Sequence, residues 1–176
     1  MTSAVRRSAI LLAAGAILGP ASLFGTSVAG AQPTLYALPA CYGGATQPTE
    51  RPDQAQFQTC ADGSKELTGI TWTRFGPDGA EGTGMYSYNV CEPNCAAGHR
   101  DSFPVVVHAD EPQPLAPDSA CPPGTMFFGN LVIAYPDGVP NAEGGAPNMR
   151  FRGMPATLYS TAAAPDAPTS LASPRC

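Results

Sequence analysis

Lysine occurs once in these 176 residues, at Lys65, tryptophan once, at Trp72, and histidine twice, at His99 and His108. With nine basic against fourteen acidic residues, the chain lacks the clustered cations that bind a phosphate backbone, which argues against nucleic acid as a partner. It also lacks an internal repeat and a long amphipathic helical pattern, so neither a solenoid nor a helical bundle is expected. Beyond the N-terminal region no apolar run reaches the roughly 20 residues of a membrane-crossing helix. Missing too are a Gly-x-Ser-x-Gly elbow, an Asp-x-Asp-x-Asp-Gly calcium loop, and a second Cys or His pair to accompany Cys91-x-x-x-Cys95. Those absences leave no signature of an esterase, an EF-hand or a zinc site.

The N-terminus differs in kind from the rest. Arg6 and Arg7 precede an uncharged stretch from Ser8 to Phe24 rich in Ala, Leu, Ile and Gly, and Ala29-Gly30-Ala31 follows with small side chains. A positive start, an apolar middle and a small-residue end are the order of a secretory leader. Gly19-Pro20 interrupts the apolar stretch, leaving it too short to anchor the chain. Residues 1–31 are therefore read as a signal peptide cleaved after Ala31, and the product as a secreted, extracellular protein that is soluble and monomeric. Leu38-Pro39-Ala40-Cys41 offers an alternative, a lipobox that leaves the protein lipid-anchored at the cell envelope through Cys41. Its distance from the apolar stretch and the awkward Pro39 favour simple cleavage. Loss of Arg6 and Arg7 leaves seven basic and fourteen acidic residues, a formal charge of −7.

Cys41, Cys60, Cys91, Cys95, Cys121 and Cys176 all follow the leader. An exported chain meets oxidising conditions, so these six are read as disulfide candidates forming up to three bridges.

After an extended, Pro- and Gly-containing segment at 32–53 come short β-rich runs punctuated by turns. Gln56 to Cys60 is the first run, followed by the Ala61-Asp62-Gly63-Ser64 turn. Leu67 to Phe75 is the second, and Gly76-Pro77-Asp78-Gly79 turns the chain again. Gly84 to Cys91 places Tyr86, Tyr88 and Val90 on one face at period two. Ser102 to Ala109 does the same with Phe103, Val105 and Val107, and Met126 to Tyr135 with Phe127, Leu131, Ile133 and Tyr135. A last run spans Asn148 to Tyr159. The expected fold is all-β, a small antiparallel sandwich or open barrel over residues 54–160. Residues 161–176, rich in Ala, Pro and Ser, read as a flexible tail without a core of its own. In a meander of this order Cys60, Cys91 and Cys95 share one end of the sheet, which makes Cys60 a partner for Cys91 or Cys95.

Five segments together carry a resemblance: Cys60-Ala61-Asp62-Gly63-Ser64, Leu67-Thr68-Gly69-Ile70-Thr71-Trp72, Ala80-Glu81-Gly82-Thr83-Gly84, Cys91-Glu92-Pro93-Asn94-Cys95-Ala96-Ala97-Gly98, and Phe103-Pro104-Val105-Val106-Val107. In them the chain resembles a group of small exported actinobacterial proteins, some of them lipoproteins, without an established activity. The Ala-, Gly- and Pro-rich composition fits such a GC-rich origin. The resemblance covers about half of the chain, leaves Cys41 and Cys176 outside its pattern, and implies a fold rather than a chemistry.

His99 lies near Asp101, and His108 near Asp110 and Glu111, but without a serine elbow these pairs read as polar surface rather than catalytic groups. The carboxylate pairs Asp110 with Glu111 and Asp62 with Glu92 read as solvated surface rather than a glycosidase pair. Trp72, Tyr86, Tyr88, Phe127 and Phe128 read as core rather than a sugar platform. No catalytic, cofactor-binding or metal-ligating residue is expected, and no cofactor. Disulfide-tied loops at one end of the sheet, carrying Asp62, Ser64, Glu92, Asn94 and His99, form the expected contact surface. The function expected is an exported, non-enzymatic domain that binds an envelope or extracellular partner. The alternative is a secreted protease inhibitor presenting His99 to Asp101 or Pro122 to Thr125 as a braced loop; a secreted hydrolase ranks third.

Overall fold

Alternation of apolar and polar side chains, broken by Gly, Pro and Asp, sets the strands here. A computed structural model of the chain describes residues 33–42, 46–58, 60–61, 63–115, 117, 119–139, 147–163, 169–171 and 176; the leader read at 1–31 lies outside them. The strands are β1 (Leu35–Ala37), β2 (Gln54–Gln56), β3 (Lys65–Gly76), β4 (Gly79–Val90), β5 (His99–Pro114), β6 (Thr125–Ala134), β7 (Met149–Phe151) and β8 (Met154–Ser160). They form one eight-stranded sheet in the order β2-β3-β4-β5-β6-β8-β7, antiparallel along that path, with β1 added in parallel to β6. The fold is all-β, as the alternation predicts, and the sheet does not close into a barrel.

Strands β3, β4 and β5 run longer than the sequence runs suggested, and in β4 this is because Gly82 and Gly84 pack inside the strand instead of ending it. Gly82 pairs with Trp72, and a Cβ at Gly82 would stand 2.6 Å from the Thr71 carbonyl oxygen. The last sequence run splits in two at Arg152-Gly153, whose φ angles of 50° and 83° suit the type I′ turn of a two-residue hairpin between Phe151 and Met154.

The inner faces of β4 and β5 supply Tyr86, Tyr88, Val105, Val107 and Ala109 to the main core, and β6 supplies Leu131 and Ile133. At Gly129 the inward face of β6 changes: Phe128 joins the main core, while Phe127 packs in a second cluster with Ala37 and Cys121. This separates Phe127 from Leu131, with which period two had grouped it. Trp72 is half-buried against Phe75, with ring centroids 5.0 Å apart and its indole N–H donated to the Pro52 carbonyl at 2.8 Å, so it packs as the core reading predicts.

The residue after β2 meets β8 through side chains. Phe57, after β2, lies edge-on to Tyr159 of β8 at 5.2 Å. The C-terminal segment fills this seam. Ser170 bridges Ser160, the Ser160 N–H donates to the Thr169 carbonyl, the Leu171 N–H donates to the Ser160 carbonyl, and the Gln58 amide reaches the Ser170 carbonyl at 3.3 Å. Leu171 is buried in the main core. The segment expected to be a flexible tail is thus, in its described residues, fastened to the sheet.

Three disulfides join Cys41 to Cys60, Cys91 to Cys95, and Cys121 to Cys176. Cys60 pairs with neither Cys91 nor Cys95. The Cys41 N–H donates to the Gln56 carbonyl at 2.8 Å, which lays Cys41 beside β2 and brings it to Cys60. Cys91 and Cys95 close on each other within their own turn.

Candidate functional site

The disulfide-closed end of the sheet is built by the start of β3, the end of β4 and the start of β5. Lys65 stands opposite Tyr88, and Val90 opposite His99. Between Val90 and His99 the chain folds into a turn braced by Cys91–Cys95 and by the Ala97 N–H, which donates to both the carbonyl and the side-chain oxygen of Asn94. Gly98 ends the turn because nothing larger fits: a Cβ there would lie 2.0 Å from the Val90 carbonyl oxygen. Glu92, Pro93 and Asn94 are left exposed on this braced turn.

Of the sequence-predicted contact residues, Ser64, Glu92, Asn94 and His99 come to this one end, and Asp62 lies outside the described residues. Ser64 is half-buried and accepts the Asn89 N–H at 3.1 Å. His99 is exposed, with Nε2 3.2 Å from the Asp101 carboxylate. Arg100, which the sequence reading passed over, ties the end together: its guanidinium reaches Glu66 at 2.9 Å, the Gly63 carbonyl at 2.6 Å and the Asn89 side chain at 3.2 Å.

The second histidine sits on the outer face of the sheet. Glu81 and His108 are opposite one another in register, and the tip of the β7–β8 hairpin folds over both. Phe151 stacks on the His108 ring at 4.9 Å, while Arg152 makes a two-pronged contact with the Glu81 carboxylate. The hydrogen bond from Arg152 holds the Glu81 carboxyl below the ordinary glutamate range. His108 Nε2 is 3.1 Å from Asp110, whose other oxygen accepts from Asn130, and His108 Nδ1 is buried without a hydrogen-bond partner. That nitrogen is shut off from solvent, and the Phe151 ring packs on the imidazole.

Both segments considered for an inhibitor are tied into the ladder or a turn. His99 to Asp101 is paired in the β4–β5 ladder. Pro122 to Thr125 is a tight turn, in which the Thr125 N–H and hydroxyl both donate to the Pro122 carbonyl and Thr125 is buried.

Sequence reasoning did not anticipate a cavity of about 370 Å³ beside the Cys41–Cys60 bridge, lined by Tyr42, Thr46, Gln47, Thr49, Asp53 and neighbours. Its polar residues are exposed, and the Tyr42 ring is occupied by Phe127 and its hydroxyl by the Leu38 carbonyl. Among the described residues no group of three His, Cys, Asp or Glu side chains is placed to hold a metal ion, and no helix is long and apolar enough to cross a membrane.

Fold and site together define a disulfide-laced, open β domain with one braced, polar end. No family model, no curated protein and no solved structure matches this chain.

Proposed function

We propose that this chain is an exported, non-enzymatic binding domain, released outside the cell after cleavage at Ala31, that meets an extracellular or envelope partner with the disulfide-closed end of its sheet. The reading keeps company with the small exported actinobacterial proteins the sequence resembles. The observation that carries it is the exposed Glu92-Pro93-Asn94 turn, closed by Cys91–Cys95 and seated on a paired β4–β5 ladder. A turn already fixed in shape loses little freedom on binding, so its contacts convert to affinity efficiently. Release rather than anchoring is supported by the Cys41–Cys60 bridge, which occupies the sulfur that a lipid anchor requires.

The test places a photoreactive residue at Asn94 or, as control, at Asp78 in the turn at the far end of β3 and β4. The protein is then irradiated in culture medium and at the cell surface. A discrete adduct from position 94, absent from position 78 and suppressed by excess unlabelled protein, is the expected result. Equal labelling from both positions, or none from position 94, refutes the assignment.

A further inference from the structure

The register shows which backbone groups of β5 are spoken for. The Asn89 N–H is donated to Ser64 on the β3 side, so along this stretch of β4 odd-numbered residues turn their backbone groups to β3 and even-numbered ones to β5. Tyr88 is opposite Asp101 and Tyr86 opposite Phe103, so Asp101 and Phe103 supply the ladder bonds of β5. Arg100, Ser102 and Pro104 turn theirs the other way. Pairing with β6 begins only at Val106. Among the described residues nothing is bonded to the N–H groups of Arg100 and Ser102 or to the carbonyls of Arg100, Ser102 and Pro104.

At three other places the chain covers an exposed edge, as stable sheets do. The Asn148 side chain bonds both the N–H and the carbonyl of Leu158, residues 169–171 cover the edge at Ser160, and Cys41 covers β2. The first half of β5 has no such cover among the described residues. Among the described residues its guard is Pro104, a residue without an N–H placed where no ladder bond is lost.

We propose that the half-strand from His99 to Val105 is a strand-addition site that accepts an extended, basic segment of a partner protein. The proposal rests on the reading that this end of the sheet is the contact surface, and it names the partner's chemistry. Arg100 is already neutralised by Glu66. The acids beside the edge are Asp101, whose side chain is 35% exposed and lies 3.2 Å from His99 Nε2, and Glu92 on the neighbouring turn. Asp101 and Phe103 flank the edge on one face two residues apart, so an incoming strand fits when it sets Lys or Arg opposite Asp101 and an apolar residue opposite Phe103.

The probe is the blocked peptide Thr-Lys-Thr-Val-Thr-Val, added to the mature protein while amide exchange is followed by NMR. The amides of Arg100 and Ser102 are expected to exchange at least about tenfold more slowly with peptide bound, and a peptide with Glu in place of Lys to leave them unchanged. Ser102→Pro, which removes a donor that no internal bond uses, abolishes the effect at Arg100, and Pro104→Val, which adds a donor, tightens binding. No slowing in wild type or in Pro104→Val overturns the site. Equal response to the Glu peptide overturns the basic preference, and dimerisation of Pro104→Val without peptide gives the edge to a second copy of this chain instead. If the crosslink from position 94 survives Ser102→Pro, the binding domain stands and this site falls; if wild type gives neither crosslink nor slowing, both fall.

Discussion

The three disulfides enclose 55, 19 and 4 residues of sequence separation, for Cys121–Cys176, Cys41–Cys60 and Cys91–Cys95 respectively. If a bridge acts chiefly by removing loop-closure entropy from the unfolded chain, these spacings give about 4, about 3 and about 2 kcal/mol. The first bridge also fixes the segment that delivers Leu171 to the core, and truncating a buried leucine costs roughly 2–5 kcal/mol on its own. Replacing Cys121 and Cys176 together by Ala is therefore expected to be the most destabilising pair change, and replacing Cys91 and Cys95 the least. Urea unfolding of the three paired variants, followed through the fluorescence of the single Trp72, measures the order directly. Leu171→Ala in the wild-type background separates the packing share from the cross-link share. A Cys91/Cys95 variant that loses as much stability as the Cys121/Cys176 variant refutes the loop-entropy argument and shifts the weight to local contacts in the 91–95 turn.

Two further outcomes follow from single positions. Gly98→Ala forces a methyl group against the Val90 carbonyl and is expected to cost at least about 2 kcal/mol, seen as a lowered Tm together with faster amide exchange at the start of β5. Glu81 has its carboxyl held down by Arg152 in the folded state, so its contribution is complete above the ordinary glutamate value and is lost as pH falls through the depressed one. The pair is partly exposed, which limits that contribution to about 1 kcal/mol or less. Urea midpoints measured from neutral to acid pH should therefore fall less steeply in Glu81→Gln than in wild type, and an unchanged slope speaks against a formed Glu81–Arg152 pair.

What the sequence made legible is the part governed by local alternation. Tyr86, Tyr88 and Val90, and Phe103, Val105 and Val107, each carry a face at period two, and the turns at Pro77-Asp78 and after Cys60 follow from their own residues. The gathering of Ser64, Glu92, Asn94 and His99 at one end needed only the up-and-down order of those strands. What stayed hidden depends on distant partners. Phe127 and Phe128 diverge because they pack into different clusters, Phe127 with Ala37 and Cys121 and Phe128 in the main core, and no window of sequence contains both sets of partners. Composition around Leu171 argued for a tail without a core, yet one leucine and one cysteine are enough to seat it when a seam between Phe57 and Tyr159 is waiting. The unpaired edge of β5 was equally invisible, because it is defined by where β6 stops, about 30 residues further along the chain.

The cysteine pairing has a consequence for how the protein is made. Six cysteines allow fifteen pairings, and this chain uses the one in which each cysteine joins the next one along: 41 with 60, 91 with 95, 121 with 176. A chain that meets an oxidant N-terminus first can complete each bond before the following cysteine arrives. For such a chain every bond drawn in order of arrival is already a native one, and this pairing is reached without reshuffling.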